Sequence, residues 1–413
     1  MVTRRIFLRN SALAVVGTAA VPSFLTRAAF GAVENGGRAK RLVVIFQRGA
    51  ADGLNIVVPH GEPQYYAMRP NINIPRKAVL DLDGFFGLHP SLASFQPLWQ
   101  QKHLAIVHAA GSPDATRSHF DAQDFMETGT PGLKATEDGW LNRSLHNLPS
   151  LPQNSPFRAI ALGPSLPRIL SGSEPAVAMN NINDFSIGGR SSRPSQAASA
   201  FEAMYDHSSD SVLHGTGEET FDAVKMLKVA DPGKYTPASG ANYPKGRFGD
   251  SIRQLAQLIK ANLGVQIAFA DIGGWDHHVN EGSVEGQLSN VLTDFSQSIS
   301  AFWTDLGDLA EDTVVVTMSE FGRTARENGN RGTDHGHANV MFVLGGPVKG
   351  GRVYGHWPGL DPSQLYEGRD LALTTDFRQV IGEGVARHMG NKNLSSVFPG
   401  YDNQPAKFLR VLG

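Results

Sequence analysis

Short apolar runs separated by polar corners set the rhythm of this chain. Residues 42–46 (Leu-Val-Val-Ile-Phe), 104–108, 157–162, 265–271, 313–318 and 340–344 are continuous and largely β-branched or aliphatic. Strands buried on both faces of a parallel sheet read this way. Between them the apolar spacing lengthens to that of helices. Leu92, Phe95, Leu98 and Trp99 share a face after His89-Pro90-Ser91, a helix is expected from Ser118, and a short one lies within 139–148. Further helices are expected over 197–205, 218–229, 248–263, 287–309 and 376–389. Leu288, Val291, Leu292, Phe295, Ile299 and Phe302 line one side of the longest. Strands alternating with helices predict an α/β chain with a mostly parallel sheet, and the first pair of strands reads as a β-α-β unit.

Two stretches fall outside this rhythm. Thr3-Arg4-Arg5 and a small-residue apolar run over 11–25 have the layout of an export signal, and the paired arginines point to the twin-arginine route. The expected division is a signal over 1–32 and a single domain over 40–413, with 190–245 inserted as helices and loop. With the signal removed, no stable membrane span is expected. Residues 59–75 are irregular, and Tyr65, Tyr66 and Arg69 there read as surface contacts.

The 413 residues carry a net charge of −2 and no Lys/Arg block, which argues against nucleic acid as a partner. The absence of cysteine excludes disulfides, thiolate zinc sites and a cysteine nucleophile.

Candidate chemistry gathers in the corners after the apolar runs. Arg48-Gly49-Ala50-Ala51-Asp52-Gly53 follows the first, and Gly273-Gly274-Trp275-Asp276-His277-His278 follows 265–271. Acids and imidazoles on such turns are ligands for a divalent ion: zinc, magnesium, manganese or calcium. Neighbouring side chains on extended backbone point apart, so only one of His277 and His278 should serve a given ion. Ser118 is expected at a helix N-terminus, either as a cap for free amides or where the helix dipole favours an anion; Arg117 beside it can clamp that anion. After 313–318 come Ser319-Glu320-Phe321-Gly322-Arg323 and then Asp334-His335-Gly336-His337. The carboxyl ends of parallel strands share one edge, so these corners are expected to form one site.

Taken in order, the paired arginines, R-G-A-A-D-G-L-N, S-H-F-D-A-Q-D, G-G-W-D-H-H, S-E-F-G-R-T and D-H-G-H-A resemble exported bacterial proteins grouped as a domain of unknown function. That group stands in the alkaline-phosphatase/sulfatase clan. The resemblance implies a three-layer α/β/α sandwich and a metal-assisted hydrolase of phosphate or sulfate esters, exported to the periplasm. It implies Ser118 as nucleophile and Asp52, Asp276 with His278, and His335 or His337 as metal ligands. Glu320 joins the ligand set, and Arg117 or Arg323 grips the substrate's remaining oxygens. Where the clan has Asp-His, this chain has Glu320-Phe321, and phenylalanine cannot bind metal. The donor set that remains is oxygen-rich and suits a single magnesium, manganese or calcium ion, or none. The partners implied are a small anionic ester and the export machinery; the alternative is a non-catalytic exported protein that binds another exported protein.

Overall fold

A computed structural model describes residues 39–134, 136–146, 148, 155–182, 226 and 234–413. The expected export signal, and most of the expected insertion with its helices at 197–205 and 218–229, lie outside them. Among the described residues no helix is long and apolar enough to cross a membrane.

The apolar runs are the strands. β1 (Arg41–Gln47) is buried at all seven positions, and β5 (Leu104–Gly111), β8 (Ile267–Ile272), β9 (Thr313–Met318) and β10 (Asn339–Gly345) lie beside or near it. With β6 (Ala159–Leu162), β7 (Val177–Met179), β11 (Arg352–Tyr354) and β12 (Thr375–Asp376) they form a nine-stranded sheet. Its order is β11-β5-β10-β9-β1-β8-β6-β7, with β12 also on β5. A small separate sheet joins β2 (Val57–Val58), β3 (Leu80–Asp81) and β4 (Gly87–Leu88).

Alternate residues of β1 enter different layers, as a doubly covered strand requires. Val43 and Ile45 pack with α1 (Gln96–Gln100), α4 (Arg247–Lys260) and α5 (Gln287–Leu306), through Leu98, Leu255, Ile259 and Phe295. Leu42, Val44 and Phe46 pack on the other face with α3 (Trp140–Ser144) and α6 (Phe377–Glu383), through Trp140 and Ile381. Each such side chain contributes roughly 1.5–3 kcal/mol by leaving water. The chain is therefore the expected three-layer α/β/α sandwich with a mostly parallel sheet.

Two connections differ from the sequence expectation. β5 does not pair with β1, because β9 and β10 stand between them. β10 runs antiparallel to both β9 and β5, the one reversed strand of the sheet among the described residues. The reversal brings the start of β10 to the carboxyl edge, where Asn339 lies opposite Ala110 near the end of β5. Phe46 is level with Asp271 on one side and Met318 on the other. The loops after β1, β8 and β9 and the loop before β10 therefore meet at one level.

Candidate functional site

The end of β1 is shaped for close approach. Gly49 has φ +122, and a Cβ there would stand 2.9 Å from the Asp276 nitrogen and 3.1 Å from that of Trp275. Only glycine fits both the backbone angle and the space. Its amide donates to Glu320 Oε1 at 2.9 Å. Trp275, fully buried with its indole donating to the Ile272 carbonyl (2.9 Å), anchors the loop that presents Asp276 and His278.

The loop 319–338 folds back on itself, pairing Arg323 with His335 in an antiparallel bridge. Gly336 permits this, since a Cβ would stand 2.3 Å from the Arg323 carbonyl carbon. Across from it, α2 (His119–Thr128) begins with Ser118 at the cap position and stops at Gly129, left-handed at φ +69. The first residue of α2, His119, points its ring into the same space.

Three imidazoles and a carboxylate converge there. His119 Nε2 lies 3.1 Å from His335 Nε2, and His278 Nε2 lies 2.9 Å from the same atom. Asp276 Oδ1 is 3.0 Å from His278 Nε2 and 3.5 Å from His335 Nε2, while its Oδ2 is 3.7 Å from His119 Nε2. His119, Asp276 and His335 each offer an atom within 4.8 Å of the other two, a spacing a metal ion could bridge.

Each ring is held from behind. His119 Nδ1 meets Glu320 Oε1 at 2.8 Å, His278 Nδ1 meets Asp334 Oδ1 at 3.2 Å, and His335 Nδ1 meets the Arg117 carbonyl at 2.9 Å. Phe321 backs two of them, its ring 4.9 Å from that of His119 and 5.0 Å from that of His335. It is an apolar wall, packed on Ala50 and Ala122.

The electrostatics follow these contacts. Burial alone would raise Glu320, but donors from His119, its own loop and Gln123 hold it below the usual carboxylate range. The same bond to Glu320 raises His119. Burial pulls His335 down, with Arg323 nearby adding to the effect. Burial opposes the charge on Asp276, yet the Arg323 guanidinium wins and lowers it.

The sequence candidates divide between this cluster and its surroundings. Asp276, His278 and His335 are in it, and Glu320 touches it through His119. Asp52 is buried, and both its oxygens are held by the Arg69 guanidinium, Nη2 to Oδ1 at 3.0 Å. Arg69, read as a surface contact, is itself wholly buried, as is Tyr65. His337 packs its ring 4.4 Å from Tyr366, and His277 is buried with its carbonyl accepting from the Thr333 amide. Ser118 makes no bond from its hydroxyl to a helix amide, and its own amide donates to the Thr116 hydroxyl at 3.2 Å. Arg117 forms ion pairs with Glu367 (2.7 Å) and Asp370 (2.6 Å). Arg323 is buried, donating to the carbonyls of Ala50, Thr333 and Trp275 and to Asp276 Oδ1 at 2.6 Å. Sequence reasoning missed His119, Gln123 and Arg369. The signal for His119 was its place in the first turn of a helix expected to open at the sheet edge.

An α/β/α sandwich with a His/Asp cluster at the carboxyl edge of its sheet is thus the class of molecule in hand. The chain belongs to the family described as "Protein of unknown function (DUF1501)", whose model matches residues 89–397. No curated protein matches it. Among solved structures it is similar to the PsFucS1 sulfatase from Pseudoalteromonas sp., at 12% identity over 91% of this chain and 73% of that one, with a TM-score of 0.38. It is also similar to the phosphonate monoester hydrolase of Agrobacterium radiobacter (9%, 88% and 78%, TM-score 0.34). The C-terminal periplasmic domain of EcEptC from Escherichia coli, in complex with zinc, is a third (9%, 75% and 74%, TM-score 0.34).

Proposed function

We propose that this protein is an exported, metal-assisted hydrolase of phosphate or sulfate esters, related to the alkaline-phosphatase/sulfatase clan. The observation that supports it is the convergence of Asp276, His278, His335 and His119 at the carboxyl edge of the sheet. A divalent ion held by these side chains would supply positive charge to the ester oxygens and the leaving group. Arg323 fixes Asp276, Glu320 fixes His119, and the Arg117 carbonyl fixes His335. Ser118, one residue before His119, is the proposed nucleophile. Its oxygen would form the new bond to phosphorus or sulfur as the bond to the ester oxygen breaks, the hydroxyl proton passing through water to the departing oxygen; a second water then hydrolyses the serine ester, its oxygen going to phosphorus or sulfur and a proton returning to Ser118. Arg369, 41% exposed, donating to the His335 carbonyl and 3.6 Å from Asp370 Oδ1, would be the cation for the remaining oxygens. The test is turnover of a panel of aryl phosphate and sulfate esters. Metal-dependent turnover that Ser118→Ala abolishes is expected; turnover indifferent to both chelation and Ser118→Ala overturns the reading.

A second reading is favoured by the commitment of Arg117 and Arg323 to protein carboxylates. It is a non-catalytic exported protein that binds or assembles with another exported protein. Co-purification with such a partner, and no turnover across the panel, would support it.

A further inference from the structure

The hydrogen bonds behind the three rings decide where their protons sit. His335 Nδ1 faces the Arg117 carbonyl, His119 Nδ1 faces Glu320, and His278 Nδ1 faces Asp334. A carbonyl accepts and cannot donate, and the same holds for an ionised carboxylate. Glu320 is of that kind, since the Gly49 amide and the Gln123 side-chain amide also donate to its Oε1. Each neutral ring therefore carries its proton on Nδ1 and presents a bare lone pair on Nε2. Those lone pairs face one another at 3.1 and 2.9 Å, with the Asp276 carboxylate 3.0 to 3.7 Å from each. Left alone, four electron-rich atoms at this range repel. A cation held among the neutral rings would relieve that repulsion, as would a proton on one Nε2.

The distances fit such an ion. Donors about 2.0–2.1 Å from a tetrahedral centre stand roughly 3.3 Å apart; His119, Asp276 and His335 each offer an atom within 4.8 Å of the other two, and His278 adds contacts of 2.9 Å to His335 and 3.0 Å to Asp276. Imidazoles backed by carboxylate or carbonyl are the usual support of a metal ligand. Three nitrogens and one oxygen suit zinc and its first-row neighbours, whereas magnesium and calcium take oxygen.

We propose that His119, His278 and His335, with Asp276 as fourth donor, form a single-ion site selective for zinc-like first-row divalent metals over magnesium and calcium. His119 replaces Asp52 and His337 in the donor set, and Glu320 becomes a positioning residue. The proposal rests on the metal half of the function above and needs none of the ester chemistry. Asp276 is the shared donor, because Arg323 holds its Oδ1.

The test uses the full-length chain stripped by chelator, titrated with Zn²⁺ by calorimetry and with Co²⁺ by visible absorption. One equivalent of Co²⁺ should bind with the strong visible bands of a four- or five-coordinate ion, be displaced by Zn²⁺, and be unaffected by millimolar Mg²⁺ or Ca²⁺. His119→Ala and His335→Ala should each weaken Zn²⁺ binding on the order of 100-fold or more and abolish the rise in melting temperature that Zn²⁺ produces. His146→Gln, a surface change, should do neither. Unchanged Zn²⁺ affinity in both folded variants, or preferential binding of Mg²⁺ or Ca²⁺, overturns the donor set and leaves a hydrolase using another ion intact. Absence of any divalent binding overturns this site and the metal-assisted function together. A Zn²⁺ site with the expected variant losses but no ester turnover sinks the hydrolase reading alone.

Discussion

His119 and Glu320, 201 positions apart in sequence, meet at 2.8 Å between Nδ1 and Oε1. The carboxylate is wholly buried and the imidazole one quarter exposed, so the contact joins the sheet edge to the surface of the cluster. Glu320→Gln keeps the size but removes the charge that pins the His119 proton. Metal affinity should fall on the order of 10- to 100-fold, measured by competition with a coloured chelator. Unaltered affinity would show that His119 is oriented by some other group.

Phe321 backs the His119 and His335 rings and is 3% exposed. Phe321→Ala should cost about 3–5 kcal/mol through the cavity it leaves, whereas Phe321→Leu should cost less than about 1.5 kcal/mol if its volume is refilled. Urea unfolding of the two variants checks the order. Equal and small losses would remove the wall role.

Arg69 and Asp52 form a pair with almost no exposure, and Arg69 also donates to the carbonyls of Thr324 and Ala325. Arg69→Met leaves Asp52 charged in the interior and should destabilise the fold by roughly 3–5 kcal/mol. Adding Asp52→Asn should recover part of that loss. A double variant no more stable than Arg69→Met would mean that the two are not energetically coupled.

Glu281 is wholly buried, accepting from Asn55 (3.2 Å) and Thr333 (2.9 Å). Burial, and then the negative charge of Asp52, push its pKa well above the carboxyl range. A raised folded pKa means that its stabilisation is complete below the unfolded value and is lost as pH rises through the folded one. Glu281→Gln should flatten that decline. Denaturation midpoints collected from about pH 4 upward provide the comparison, and identical slopes in the two proteins would refute the assignment.

His108 has the opposite sign. Its Nε2 proton goes to the Val57 carbonyl and its Nδ1 accepts from the Ala109 amide, both at 2.9 Å. Burial drives its pKa down to about 4. A depressed folded value contributes stability above the ordinary histidine pKa, and that stability disappears as pH falls through about 4. His108→Gln should lose less stability than the parent between about pH 6.5 and 4 when followed by circular dichroism. A variant as acid-sensitive as the parent would contradict this.

The sequence by itself determined the long central strands, the main helices of the described residues and the polar corners that meet at the carboxyl edge. A run such as Leu-Val-Val-Ile-Phe at 42–46 has few ways to hide its apolar side chains other than a sheet covered on both faces. Glycine, acid and histidine after such runs marked Asp276, His278 and His335 without any coordinates. Tertiary structure alone decided the rest. An apolar run has no visible direction, so only strand pairing shows β10 running backwards and delivering His335 to the edge. Ser-His-Phe-Asp reads locally as a helix start, and His119 gains its meaning from Glu320 and His335 across the fold. Asp52, a ligand candidate in the sequence, meets Arg69, from a segment without periodicity, in the interior. Local patterns are written by burial and backbone geometry, which act over a few residues. Which charge faces which is set by how the strands are ordered, and that order is a property of the whole chain.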